Sequence, residues 1–384
     1  MASLFNSSDG MSTNLTVTSL STVTSLSPQM SASTPADESR TNLYYESPVL
    51  ISVMYCVIGI AGIFGNSIVI MVMYRTPSLH DVPNYIITNQ SIIDLYASIV
   101  FLLNYVIIAN PDPSDLPANP FLATLFCKIW RSRYIFWGCV RVSAANLICL
   151  TIERYYAVCH AISYKKNVRK KHVCFVSVFV WLFGYTYQLP MFFLNNVHED
   201  GVCRLIWPHP IAQSAFGISI LVTQWVFPVI LMTFVYVKIF KVIRRKIQPA
   251  ANPPAAENGS RADHMSKRTA MARRNVIKTL LIVAVIYVIC WGPNFTFFAY
   301  FNVGGKVDFS GPYYFVGAAM SLANMAVNPF IYAFKYRRFQ QGLFAMFKCQ
   351  RISEALRDGS LTLTHGKTAS SRGATVVSEE ILQT

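Results

Sequence analysis

Polar and apolar positions fall in long blocks along this chain. Seven apolar blocks stand out: Pro48–Tyr74, Pro83–Ile108, Leu122–Cys159, His172–Leu194, Ile211–Ile243, Val276–Tyr300 and Phe309–Phe334. Each is long enough to cross about 30 Å of hydrocarbon as a helix, some with tilt. Lipid cannot satisfy exposed backbone groups, which forces helices, and the alternation of a membrane barrel is absent. The blocks predict an all-α membrane protein: a seven-transmembrane helix bundle over residues 48–335, then a short amphipathic eighth helix over 336–349. Composition agrees. Hydrophobic residues are 53% of the chain, charged residues 13%, and mean hydropathy is +0.38, against about 25% charged residues in soluble domains.

The polar blocks set the orientation. Lys165, Lys166, Arg169, Lys170 and Lys171 follow the third block. Lys241, Arg244, Arg245, Lys246, Arg261, Lys267, Arg268, Arg273 and Arg274 lie between the fifth and sixth, and Lys335, Arg337, Arg338 and Lys348 follow the seventh. The alternate loops carry Asp112, Asp115, Glu199, Asp200 and Asp308. Basic loops stay in the cytoplasm, so the N-terminus is expected outside, the C-terminus inside, and the protein at the plasma membrane. The net charge of +15 is mostly this collar. It reads as topology and contact with membrane lipids, not nucleic-acid binding.

Residues 1–47 are rich in Ser, Thr and Asn and read as a disordered extracellular region. Asn6 and Asn14 each begin an acceptor motif for N-linked sugar. No signal peptide precedes them, so the first block is expected to serve as an uncleaved signal anchor. Residues 350–384 read as a disordered cytoplasmic tail. Its Ser and Thr residues suit phosphorylation. Of the nine cysteines, only Cys127 and Cys203 face the oxidising side, and a bond between them would close a long loop. Cys349 ends the amphipathic stretch and reads either as a palmitoyl site or as a free thiol.

Polar residues inside the blocks are few. Glu153-Arg154-Tyr155 sits at the inner mouth of the third, where a lone charge needs a partner or a function. Asp94, Ser143, Asn324 and Asn328 lie mid-block. Their oxygens form a candidate sodium site, or Asp94 instead joins helices by hydrogen bonds. No other cofactor is expected. Pro228, Pro293 and Pro329 each remove a backbone bond mid-span and permit a kink.

Taken together these motifs resemble the rhodopsin-like (class A) G-protein-coupled receptors, of the peptide-receptor-like branch. The resemblance rests on Gly65-Asn66, Asp94, Cys127, Glu153-Arg154-Tyr155, Trp181, Pro228, Tyr236, Cys290-Trp291-Gly292-Pro293 and Asn328-Pro329-Phe330-Ile331-Tyr332, in that order. It implies an outer ligand cavity and an inner groove for a heterotrimeric G protein. Ligand binding would repack Trp291 and pivot the sixth helix outward near Pro293. Arg154 would then leave Glu153, with Tyr236 and Tyr332 closing in around it. Three departures stand out. Glu153 replaces the commoner Asp. Cys127 lies two residues farther from the triplet than in most members, so the third helix is expected to bulge or start differently. Arg273 and Arg274 stand where some members carry an acid, so Arg154 is expected to lean on Glu153.

Phe136 occupies the position where amine receptors of the family carry an Asp, and the seventh block holds no Lys for retinal. The expected ligand is a neuropeptide, with a non-peptide small molecule or lipid as the alternative. The expected pocket is Arg133, Phe136, Trp137, Gln188, Trp291, Asn294 and Phe298. Arg141, about 20 Å from Arg154 along the helix, reads either as a ligand contact or as a structural pair with a neighbouring helix. A transporter is the remote alternative, but no repeated halves are seen. The seven histidines are scattered and no nucleophile–base arrangement is present, so no enzyme is expected.

Overall fold

The computed structural model describes residues 35–107, 116–199, 201–247, 261–308 and 311–357, with side chains described between 50 and 244 and between 277 and 348 of these. Seven helical spans are long and apolar enough to cross a membrane: Leu50–Arg75, Val82–Ile107, Pro120–Cys159, Lys170–Leu194, Pro210–Arg244, Ile277–Asn302 and Pro312–Lys335. The protein is a multi-pass membrane protein. Exposed Val57, Phe64, Phe175, Phe179, Leu182, Ile230, Phe234 and Phe330 project from these spans, as expected where the solvent is hydrocarbon rather than water.

Two expected boundaries move. The first helix begins at Pro35, so the boundary expected at residue 47 falls inside it. The last helix runs Arg337–Arg357, past the expected end at 349. Hydropathy marks the part of a helix that suits lipid, whereas backbone bonding continues into polar sequence. Chain contacts define two units, ending and starting at Gly342 and Leu343. Within the second, Phe344 and Phe347 are exposed. Asn6 and Asn14 lie outside the described residues, as do the side chains of Cys349, Arg273 and Arg274.

The spans are not uniform rods. π-helical turns occur at Leu103–Ile107, Cys127–Arg131 and Val222–Val226. The last ends two residues before Pro228, whose ring lacks the N–H that would continue a regular ladder. The third span is interrupted after its π turn. Ser132 Nα bonds back to Cys127 O, Arg133 adopts φ 53° and ψ 35°, and the helix restarts at Tyr134. The Ser132 hydroxyl accepts from the Tyr134 amide at 3.1 Å and caps the restart. This break takes up the two residues that separate Cys127 unusually far from Glu153. Left-handed backbone is costly for a residue with a Cβ, and Arg133 is fixed there by stacking its guanidinium 4.1 Å from the Tyr105 ring centroid.

Between the fourth and fifth spans, β1 (Asn195–Val197) pairs antiparallel with β2 (Cys203–Leu205). Gly201, at φ 73°, turns the hairpin. Cys203 is bonded to Cys127, with Cα atoms 5.5 Å apart. The hairpin is thereby anchored to the π turn of the third span.

Side-chain bonds join the spans. Asn66 Nδ2 donates to Gly62 O and, at 2.9 Å, to Met325 O of the seventh span. Trp181 Nε1 donates to Asn89 Oδ1 at 3.2 Å, joining the fourth span to the second. The third and fourth spans approach so closely at Gly184 that a Cβ there would lie 2.8 Å from the Val142 backbone nitrogen.

Candidate functional site

At one end of the third span, Glu153 and Arg154 form a fork-shaped ion pair. Arg154 Nε lies 2.5 Å from Glu153 Oε2, and Nη2 donates to Oε1 at 2.6 Å. The two side chains are only 8% and 11% exposed, so the charges meet in a medium that screens them weakly. The Tyr164 hydroxyl also donates to Glu153 Oε1. Burial, and then the Glu153 carboxylate, push the Tyr164 phenol above its ordinary value, so it stays protonated and donating. Tyr155, next along the helix, is half-buried with its ring 5.6 Å from that of His160. Arg154 borders a groove of about 1740 Å³, counting space open to solvent, lined by Lys165, Arg169, Lys170 and Arg338 and by one acid, Asp81. Tyr236 of the fifth span and Tyr332 of the seventh are buried, and the Tyr332 hydroxyl has no hydrogen-bond partner.

A polar hub fills the middle of the bundle. Asp94, fully buried, accepts from Gln90 Nε2 at 3.0 Å and from Asn328 Nδ2 at 2.8 Å. Gln90 Nε2 also donates to Ser143 Oγ at 2.6 Å, and Gln90 Oε1 accepts from Asn146. Asn324 Oδ1 accepts from Trp291 Nε1 at 3.1 Å. A cation cage needs these oxygens directed at one empty point. Here the Gln90 and Asn328 amides donate to Asp94, Gln90 also donates to Ser143, and the Trp291 indole donates to Asn324, while Asn328 Oδ1 has no partner. Gln90 is the residue that sequence reasoning missed. Its signal is its place four residues before Asp94, on the same helix face.

About 20 Å along the helix from Arg154, the spans open into an aromatic cavity of about 610 Å³, counting space open to solvent. Trp137, Arg141, Gln188, Asn294 and Phe298 line it, together with Met191, Leu205, Trp207, Phe216, Ile220, Phe295, Phe301 and Asn302. Leu205 belongs to β2 and Trp207 follows it, so the hairpin supplies part of the wall. Four expected pocket residues, Trp137, Gln188, Asn294 and Phe298, therefore share one cavity. Three do not line it. Arg133 stacks on Tyr105, and Phe136 packs among Phe101, Tyr105 and Trp137. Trp291 is buried and stacks on Phe295 at 5.2 Å, with Phe295 as the lining residue. The reason for the first two is local. Arg133 sits in the break itself, and Phe136, one position before Trp137 on the restarted helix, faces Phe101 and Tyr105 of the second span instead. Met191, Trp207, Phe216 and Phe301 come from separate elements, and nothing in their local sequence joins them.

The profile of the "7 transmembrane receptor (rhodopsin family)" matches residues 65–332. Among similar curated proteins, cholecystokinin receptor type A of Homo sapiens is 24% identical over 367 residues, covering 82% of this chain and 83% of the relative. Galanin receptor type 1 of Rattus norvegicus is 25% identical over 314 residues, covering 79% and 83%. The RYamide receptor of Drosophila melanogaster is 24% identical over 321 residues, covering 77% and 62%.

Proposed function

The chain belongs to the rhodopsin family of seven-transmembrane receptors, and from that membership we propose that it binds an extracellular peptide in the aromatic cavity and activates a heterotrimeric G protein at the Arg154 groove. The observation that carries the coupling is the buried Glu153–Arg154 pair at the mouth of a basic groove, one long helix away from the cavity. The peptide assignment draws on the receptors for cholecystokinin, galanin and RYamide to which the chain is similar. In this reading the N-terminus is outside, with sugar on Asn6 and Asn14. The C-terminus is cytoplasmic, with Cys349 palmitoylated and the tail open to receptor kinases and arrestin.

Ligand binding favours one of two packings by the difference in its affinity for them. Phe295 connects the cavity to Trp291, and Trp291 holds Asn324. A ligand pressing on Phe295 shifts Trp291, and the sixth span pivots at Pro293. Its far end moves outward, Arg154 leaves Glu153, and the groove opens. Tyr332, with its hydroxyl unpaired, and Tyr236 then close on Arg154. The test is guanine-nucleotide exchange on G proteins in membranes holding the chain, against a panel of neuropeptides. Stimulation by a peptide supports the reading. Stimulation by lipids or small amines alone would replace the peptide assignment.

The hub carries a second expectation. Because Gln90 already donates to Asp94 and Ser143, exchange in membranes is expected to change less than about twofold when sodium chloride is replaced by potassium chloride. Gln90→Leu frees both acceptors, and its basal exchange is expected to fall on adding sodium. Parental sensitivity to sodium equal to that of the variant would contradict this.

A further inference from the structure

We propose that Arg141 receives a carboxylate of the bound peptide in the aromatic cavity. Arg141 is 2% exposed, and its Nε and Nη1 have no hydrogen-bond partner. It is the only charged side chain on the cavity wall among the described residues, and no Asp or Glu joins it there. Its guanidinium lies 5.3 Å from the Tyr187 ring centroid. That contact offers the π face alone, because the Tyr187 hydroxyl is taken up with Ser219 and Thr223. A ring face offsets a buried charge only in part, and a buried cation without an anion is among the costliest groups a fold can carry. Among the described residues the fourth span offers Arg141 only this ring face, and no carboxylate from a neighbouring span meets it.

Two more wall residues specify what accompanies the anion. The Gln188 and Asn294 side-chain oxygens are buried and unpartnered. They are acceptors that suit the N–H groups of a peptide. Trp137, Phe295 and Phe298 supply an apolar wall. The site therefore suits a carboxylate next to an aromatic or bulky apolar residue, and it repels a cationic amine. This deepens the peptide reading and rests on it for the nature of the ligand, but its test does not depend on G-protein coupling.

The test uses the purified full-length chain in detergent and three probes. N-acetylphenylalanine carries a chain-end carboxylate, N-acetyl-aspartyl-phenylalaninamide a side-chain carboxylate, and N-acetylphenylalaninamide neither. At ten times its dissociation constant an acidic probe is expected to raise the melting midpoint by about 3 °C, with the neutral amide inert. Which acid acts tells a chain end from a side chain. Arg141→Leu abolishes the shift, while Arg141→Lys keeps the charge and part of it. Without probe, Arg141→Leu is expected to melt above the parent, because it removes an unpaired buried charge; a purely structural arginine would give the opposite sign. The proposal is overturned if acids and amide act alike on the parent, absence of any shift included, or if the acid shift survives in Arg141→Leu. The comparison on the parent needs no variant to fold. Nucleotide exchange by a peptide remains a separate readout, so loss of one reading leaves the other standing.

Discussion

Arg154→Leu abolishes peptide-stimulated nucleotide exchange, and Glu153→Gln raises exchange in the absence of any peptide by roughly tenfold. Both follow from one geometry. Arg154 is held by two hydrogen bonds to Glu153, at 2.5 and 2.6 Å, with both side chains nearly buried. Removing one partner of a buried pair costs about 3–5 kcal/mol, because the other charge is left uncompensated. In Glu153→Gln that cost falls on the packing in which Arg154 points at residue 153, and far less on the one in which it points into the groove. A shift of about 1.4 kcal/mol between the two changes their ratio tenfold, so a third of the penalty is enough. Tyr164 can still donate to the glutamine oxygen, which limits the loss. Arg154→Leu has no charge to place in either packing and leaves the groove without its central cation. The measurement is nucleotide exchange in membranes matched for surface receptor. Equal basal exchange in Glu153→Gln and parent would remove the pair as a restraint.

Much of this bundle could be read from local sequence, because each span had to satisfy its backbone within itself. The seven apolar runs agree with the spans to within a few residues, except where helices continue into polar sequence. The Cys127–Cys203 bond was legible because chain topology left only those two thiols on one side. Glu153 leaning on Arg154 was legible because no acid was available from the sixth span. What could not be read is contact between elements. Gln90 was not singled out on the second span, because only the packing of the third against it puts Ser143 and Asn146 within reach of its amide. Arg133 looked like a pocket residue because a non-glycine left-handed break has no composition signal. Trp207 and Phe216 joined the cavity wall through the hairpin and the fifth span, which no periodicity connects.

The break in the third span makes the disulfide the second large lever. Cys203→Ser is expected to lose most peptide response and much of the surface receptor. In the chain-entropy account, a cross-link spanning 76 residues contributes about 4.5 kcal/mol, a large part of the roughly 5–15 kcal/mol that typically separates folded from unfolded protein. Here it also carries a positional load. Cys127 opens the π turn Cys127–Arg131, which is followed by left-handed Arg133, so the end of the third span is not braced by a continuous helix ladder. The bond to β2 ties that end to the hairpin that places Leu205 and Trp207 on the cavity wall. Freeing the hairpin opens the wall and relaxes the turn together. Cys127→Ser should therefore match Cys203→Ser, and the double variant should be no worse than either, since two residues acting as one unit are not additive. Surface labelling and peptide concentration–response curves on the three variants decide it. A double variant clearly worse than both singles would mean that each cysteine acts through contacts of its own, and that the hairpin is held by something other than this bond.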